Sequence, residues 1–172
     1  MDFLDLAKKR YSVRKYEDKK VEKEKLLKIL EAGRVAPTGA NTQSQRLIVV
    51  TQKEGLEKIE KAGNINGAAM AIIVCGEHKT SWKRPFDNKD ILDIDSGIVI
   101  AHMMLEATEV GLGSVCVCYF EPTILMKEFK IPEGIEPMCI LGIGYPLGEG
   151  LSPDRHDKAR KPLEATVFYE TF

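Results

Sequence analysis

The run Ala69-Met70-Ala71-Ile72-Ile73-Val74-Cys75 is apolar at every position and rich in β-branched side chains. A strand facing water on one side alternates polar and apolar residues, so an unbroken run of this length reads as a strand covered on both faces. Arg46–Thr51, Val115–Phe120 and Met138–Ile143 share its character. Helix-period segments separate these runs. Strands interleaved with helices put the chain in the α/β or α+β class, with a largely buried central sheet.

Working outward, Asp2–Lys9 carries Phe3, Leu4 and Ala7 at helical spacing with Asp2 placed as a cap. Glu22–Val35 sets Leu26, Leu27, Ile29, Leu30 and Ala32 against a Lys/Glu face, and Glu54–Ala62 predicts another helix. Asp95–Val110 differs, because apolar residues occupy almost its whole circumference, interrupted by His102, Glu106 and Glu109. Such a helix must be buried, yet it falls short of the ~20 apolar residues of a membrane span. A core helix and a helix covered by a second copy both satisfy the pattern, and the second is the reading adopted. Asp90, Asp93 and Asp95 read as capping and charging its start rather than as cation ligands.

The chain has 172 residues, a span that fits a single domain over 1–172. With 44% apolar and 30% charged residues it can build a core, and a net charge of -1 gives no general attraction to nucleic acid or to an anionic membrane. Cys75, Cys116, Cys118 and Cys139 all sit in apolar runs, as free thiols do in a reducing compartment. Cys116 and Cys118 lack the two-residue gap of redox and zinc motifs, and His78, His102 and His156 are scattered, so no metal site is expected. Met1-Asp2-Phe3-Leu4-Asp5 has no basic segment leading into an apolar one; the expected location is cytoplasmic.

Chemistry concentrates in three places. In Arg10-Tyr11-Ser12-Val13-Arg14-Lys15-Tyr16, alternation puts Arg10, Ser12 and Arg14 on one face. Two guanidinium forks and a hydroxyl form a receptor for a phosphate, although an edge strand with alternating charge would look the same. Ala36-Pro37-Thr38-Gly39-Ala40-Asn41-Thr42-Gln43 places two amides one residue apart, able to donate and accept along the edge of a heterocycle; the plainer reading is a turn. Arg155, Lys158, Arg160 and Lys161 form a late basic cluster that is either a solvated surface or a return to the same phosphate.

Two glycine pairs fail the dinucleotide test. Gly142-Ile143-Gly144-Tyr145-Pro146 is followed by proline rather than a helix, and Gly111-Leu112-Gly113-Ser114 runs from helix to strand, the reverse order.

In chain order, Arg10-x-Ser12-x-Arg14, Ala36-Pro37-Thr38 with Asn41-x-Gln43, Gly111-Leu112-Gly113-Ser114, Gly142-Ile143-Gly144-Tyr145-Pro146 and the terminal Lys/Arg-Pro segment resemble the nitroreductase family of flavin-mononucleotide (FMN) oxidoreductases. The resemblance implies an α+β fold with a central mixed, mainly antiparallel sheet flanked by helices, and an intertwined homodimer with flavin sites at the interface. Carried over by position, Arg10, Ser12 and Arg14 hold the flavin phosphate and ribityl region, with Arg160 and Lys158 returning to it. Pro37, Thr38, Asn41 and Gln43 line the ring, and Gly113 and Ser114 approach the flavin. The chain departs from the family after Gln43, where Ser44, Gln45 and Arg46 replace a proline and an aromatic.

The resemblance further implies that NADH or NADPH reduces the flavin, which then reduces small electron-poor acceptors such as nitroaromatics and quinones by ping-pong turnover. No separate catalytic side chain is expected, because the flavin carries the chemistry. The alternative is a flavin-binding storage or sensor protein of the same fold with little turnover. Glu77–Lys89, with Trp82, Arg84, Pro85 and Phe86, is the expected substrate loop, and Val167, Phe168 and Tyr169 the segment that wraps the partner.

Overall fold

The computed structural model describes residues 2–172. Its elements in chain order are α1 (Phe3–Lys9), α2 (Lys23–Val35), β1 (Gln45–Val50), α3 (Lys53–Glu60), β2 (Met70–Glu77), α4 (Leu92–Glu109), β3 (Gly113–Val117), α5 (Pro122–Glu128), β4 (Ile135–Gly144) and α6 (Arg155–Ala159).

The strands form one sheet in the order β1-β2-β4-β3, with every neighbouring pair antiparallel. The expectation of a mixed sheet is corrected in this respect: the one parallel contact is an isolated bridge between Ser12 and Ser114. β2 explains why the sheet is central. Met70, Ile72 and Val74 pack into a core on one face with Ile29, Val99 and Met103, while Ala71, Ile73 and Cys75 pack into a second core on the other with Ile59 and Leu125. α2 and α4 therefore cover one face, and α3 and α5 the other. Successive residues of β2 are thus buried on opposite faces, which is what an apolar run without alternation requires.

α4 begins at Leu92, earlier than its apolar pattern suggests; its N-cap residue is Ile91, and one position further back Asp90 Oδ1 accepts the otherwise free Leu92 amide at 2.9 Å. Asp2 does not cap α1; its backbone sits at the N-cap, but its side chain makes no capping bond. β3 ends at Val117, so Cys118 and Tyr119 leave the ladder although their side chains suit a strand. α4 lies against α2 so closely that a Cβ on Gly33 would come within 3.0 Å of Met103 Cγ. Its opposite side, carrying Ile94, Gly97 and Ala101, is exposed. Val167, Phe168, Tyr169 and Phe172 are exposed as well.

Candidate functional site

The segment Arg10–Glu17 is a strap rather than a strand. The Val13 amide donates to Ser114 O at 3.0 Å, the Glu17 amide to Tyr145 O at 2.9 Å, and the Leu147 amide returns to Lys15 O at 2.9 Å. These bonds lay the strap over the start of β3 and the end of β4. Gly113 permits the close approach, since a Cβ there would fall 2.4 Å from Val13 Cγ2. The roles of Gly113 and Ser114 in this chain are thus partly structural: Gly113 makes room for the strap and Ser114 anchors it through its carbonyl. The Ser114 side chain is 1% exposed and its Oγ has no hydrogen-bond partner.

Above the strap, Arg10, Ser12, Arg14, Arg155, His156 and Arg160 border one cavity of about 270 Å³. The tail is tied there by Arg155, whose Nη2 donates to Arg10 O at 2.6 Å, and by His156, whose Nε2–H donates to Lys8 O at 3.2 Å. No carboxylate borders this cavity. Burial and the neighbouring charges of Arg155 and Arg160 hold the Arg10 guanidinium below its ordinary pKa. Like charges gathered without a counter-ion favour an anion that brings its own acceptors, such as a phosphate monoester. Lys158 does not border the cavity, and Arg155 does; the chain carries Arg155 in the same basic cluster, so composition pointed at the segment without choosing its members.

Arg14 also borders a second cavity, of about 280 Å³, with Asn64, Asn66, Cys116, Cys118 and Tyr119. These residues escaped the sequence reading. Asn64-Ile65-Asn66 repeats the amide-x-amide spacing of Asn41-x-Gln43, and that was the available signal. An elongated ligand with an anionic end and a hydrogen-bonding planar end fits two cavities that share Arg14. A larger cleft of about 490 Å³ lies on the other side of the strap, where Val13, Leu112, Gly113 and Pro146 make it apolar.

Pro37, Thr38, Asn41 and Gln43 lie elsewhere. Their loop enters β1, whereas the strap rests on β3, and these are the two edges of the sheet. Ser114 registers through Ile143 with Met70, while Gln45 registers with Gly76. The corners are diagonally opposed, roughly 14 Å apart across the sheet and about 20 Å along it, given strand spacing and rise. The loop is conformationally costly: Ala40, Asn41 and Gln43 have φ of 49°, 56° and 51°. Thr38 Oγ1 accepts the Gln43 amide at 3.1 Å, and buried Asp95 accepts the Gly39 amide at 3.0 Å, so α4 holds the loop in place. Gln45 Oε1, Asp95 Oδ2 and Ser96 Oγ, all at this corner, are buried without partners.

Among the described residues no group of three or more His, Cys, Asp or Glu is arranged to hold a metal ion, and no helix is long and apolar enough to cross a membrane.

An antiparallel sheet covered on both faces, with an arginine-rich strap on one edge and an amide-bearing loop feeding the other, defines the nitroreductase type of α+β protein. The chain belongs to the nitroreductase family: the model of that family matches residues 7–64 and 60–145. It is similar to a crystallised nitroreductase family protein from Clostridium difficile 630, with 56% identity over 100% of both chains and a TM-score of 0.98. An FMN-dependent nitroreductase of Clostridium difficile R20291 superposes with a TM-score of 0.79 at 29% identity, covering 97% of this chain and 98% of the other. A Methanothermobacter thermautotrophicus protein provisionally named NADH dehydrogenase/NAD(P)H nitroreductase is 31% identical over 95% of this chain and 87% of the relative.

Proposed function

We propose that the chain is an FMN-dependent NAD(P)H oxidoreductase that works as a cytoplasmic homodimer and reduces small electron-poor acceptors such as nitroaromatics or quinones. One observation carries this reading. Arg10, Arg155 and Arg160 converge without a carboxylate, and Arg14 also borders a neighbouring cavity lined by Asn64, Asn66, Cys116, Cys118 and Tyr119. The residues fit the group: the guanidinium cluster and Ser12 hold the phosphate, and Arg14 with Asn64 and Asn66 addresses the ring. The names carried by relatives, FMN-dependent nitroreductase and NAD(P)H nitroreductase, agree with an activity that uses FMN and a nicotinamide.

Bound FMN would supply the two-electron chemistry that links NADH or NADPH to the acceptor. The protein's own contribution is electrostatic and positional. Arg14, bordering the second cavity, would stabilise the negative charge that reduction places on a ring held there. Pro37, Thr38, Asn41 and Gln43 sit too far from their own chain's strap to reach the same ring, so a second copy delivers them. The exposed side of α4 and the apolar tail supply the surface for that pairing.

An absorption spectrum of the purified protein, followed by anaerobic titration with NADH and NADPH and then a quinone, tests the reading. The expected result is a yellow protein that bleaches with the nicotinamide and recolours with the quinone. A yellow protein without acceptor-dependent oxidation is instead a storage or sensor protein. A colourless protein after incubation with FMN overturns the reading altogether.

A further inference from the structure

Cys116 and Cys118 border the cavity that Arg14 shares, and no role has been assigned to their thiols above. Their Sγ atoms are 3.8 Å apart. Residues two apart in a strand share a face, but an extended ladder normally keeps such side chains too far apart to bond. Here the constraint is relaxed at one end: the β3 ladder stops at Val117, and Cys118 lies beyond it, exposed. Cys139 approaches from β4 as part of the buried core against which Cys116 packs.

From this cluster we propose that Cys116 and Cys118 form a redox-active thiol pair, which a hydroperoxide converts into an intramolecular disulfide. The division of labour follows from position. Cys116 is half-buried, packs against the core that holds Cys139 and lies 3.8 Å from the Cys118 sulfur. Thiol hydrogen bonding, with Cys139 the larger cause and Cys118 the smaller, lowers its pKa to about 6, while burial and the Cys116 charge hold Cys118 above its ordinary value. Cys116 is the nucleophile and Cys118 the resolving thiol. Cys139 is fully buried and remains the proton-bearing neighbour, raised by its bond to Cys116.

The steps balance. The Cys116 thiolate attacks one oxygen of the peroxide; the O–O bond breaks, the departing alkoxide or hydroxide takes a proton from solvent, and Cys116 becomes a sulfenic acid. Cys118 sulfur then displaces that hydroxyl, which leaves as water with the Cys118 proton. The two thiols together lose two electrons, and the hydroperoxide gains them. Closing the pair to a bond of about 2.05 Å moves Cys118, the end of the pair free of the sheet. The proposal goes beyond the flavin reading and does not depend on it.

The test treats the purified protein with hydrogen peroxide, alkylates it under denaturing conditions and weighs its proteolytic peptides. The expected product is one peptide carrying both Cys116 and Cys118, about 2 Da lighter, unalkylated and restored by dithiothreitol. In Cys118→Ser, dimedone is expected to label Cys116; in Cys116→Ser the light peptide is absent and Cys118 stays alkylatable. Alkylation of both cysteines after peroxide, a disulfide from Cys116 to Cys139, or preferential dimedone labelling of Cys118 overturns the proposal. Because the readout is a peptide mass, failure here leaves the flavin assignment standing, and failure of the flavin assignment leaves this result readable.

Discussion

The Val13 amide meets the Ser114 carbonyl at 3.0 Å, directly above the glycine whose missing Cβ makes room for Val13. Everything the strap positions depends on that approach. Gly113→Ala is expected to cost about 1–3 kcal/mol by overpacking a stiff β-branched neighbour and to weaken FMN binding along with stability. Denaturant unfolding and flavin titration of the same variant check both halves. A variant of native stability and native flavin affinity contradicts the role of this contact.

The guanidinium cluster makes a second prediction. Removing one charge-assisted phosphate contact costs ~1.5–3 kcal/mol, so Arg10→Ala or Arg160→Ala weakens FMN binding about ten- to a hundredfold. Riboflavin, which lacks the phosphate, loses far less. Lys158→Ala changes neither affinity appreciably, because Lys158 does not border the cavity. Fluorescence titration with both flavins separates a phosphate effect from a general loss of folding.

At the opposite corner, Asp95→Ala strands the Gly39 amide that the carboxylate now accepts at 3.0 Å. The amide is half-buried, so losing its partner costs about 1 kcal/mol, and the loop carrying Asn41 and Gln43 loses the anchor of its left-handed conformation. The expected outcome is a modest fall in melting temperature with a larger loss of acceptor turnover. Asp95→Asn keeps an acceptor oxygen and recovers most of both.

His78 gives the chain a pH dependence. Its Nδ1 faces Asp90 Oδ2 at 2.9 Å and its Nε2 faces Glu136 Oε2 at 2.7 Å, and these hydrogen bonds, that to Asp90 first, raise its pKa. A group whose pKa is raised by folding stabilises fully below its unfolded value of about 6.5 and loses that contribution as the pH climbs through the folded value. The ring is well exposed, so the effect is small. The difference in melting temperature between the native chain and His78→Gln is therefore expected to be larger at pH 6 than at pH 9. A difference that grows with pH contradicts the assignment.

The sheet and its covering helices were legible because burial on two faces leaves an unambiguous mark: Ala69–Cys75 has no polar residue to turn outward. What the sequence hid is geometric. Asp90, Asp93 and Asp95 all read as capping the start of α4; Asp90 does accept the Leu92 amide there, but Asp95 instead reaches across to Gly39. Alternation correctly grouped Arg10, Ser12 and Arg14, since one face of an extended segment is a local property. Choosing Arg155 over Lys158 required the direction in which α6 docks, and no local pattern encodes that. Asn64 and Asn66 were missed because their neighbour Ile65 reads as core, while only the fold brings them to Arg14.

The central claim is that two copies complete each other's flavin site, the strap from one and the Pro37–Gln43 loop from the other. Co-expressing a strap variant, Arg10→Ala with Arg14→Ala, and a loop variant, Asn41→Ala with Gln43→Ala, tests it directly. Each variant alone is expected to bind little FMN. Random pairing of the two makes half the dimers mixed, and each mixed dimer holds one intact site, so bound flavin and NAD(P)H oxidation return to about a quarter of the native level. Mixed dimers that stay as colourless and inactive as either parent contradict the claim, because a site built within one chain has no intact copy in the mixture.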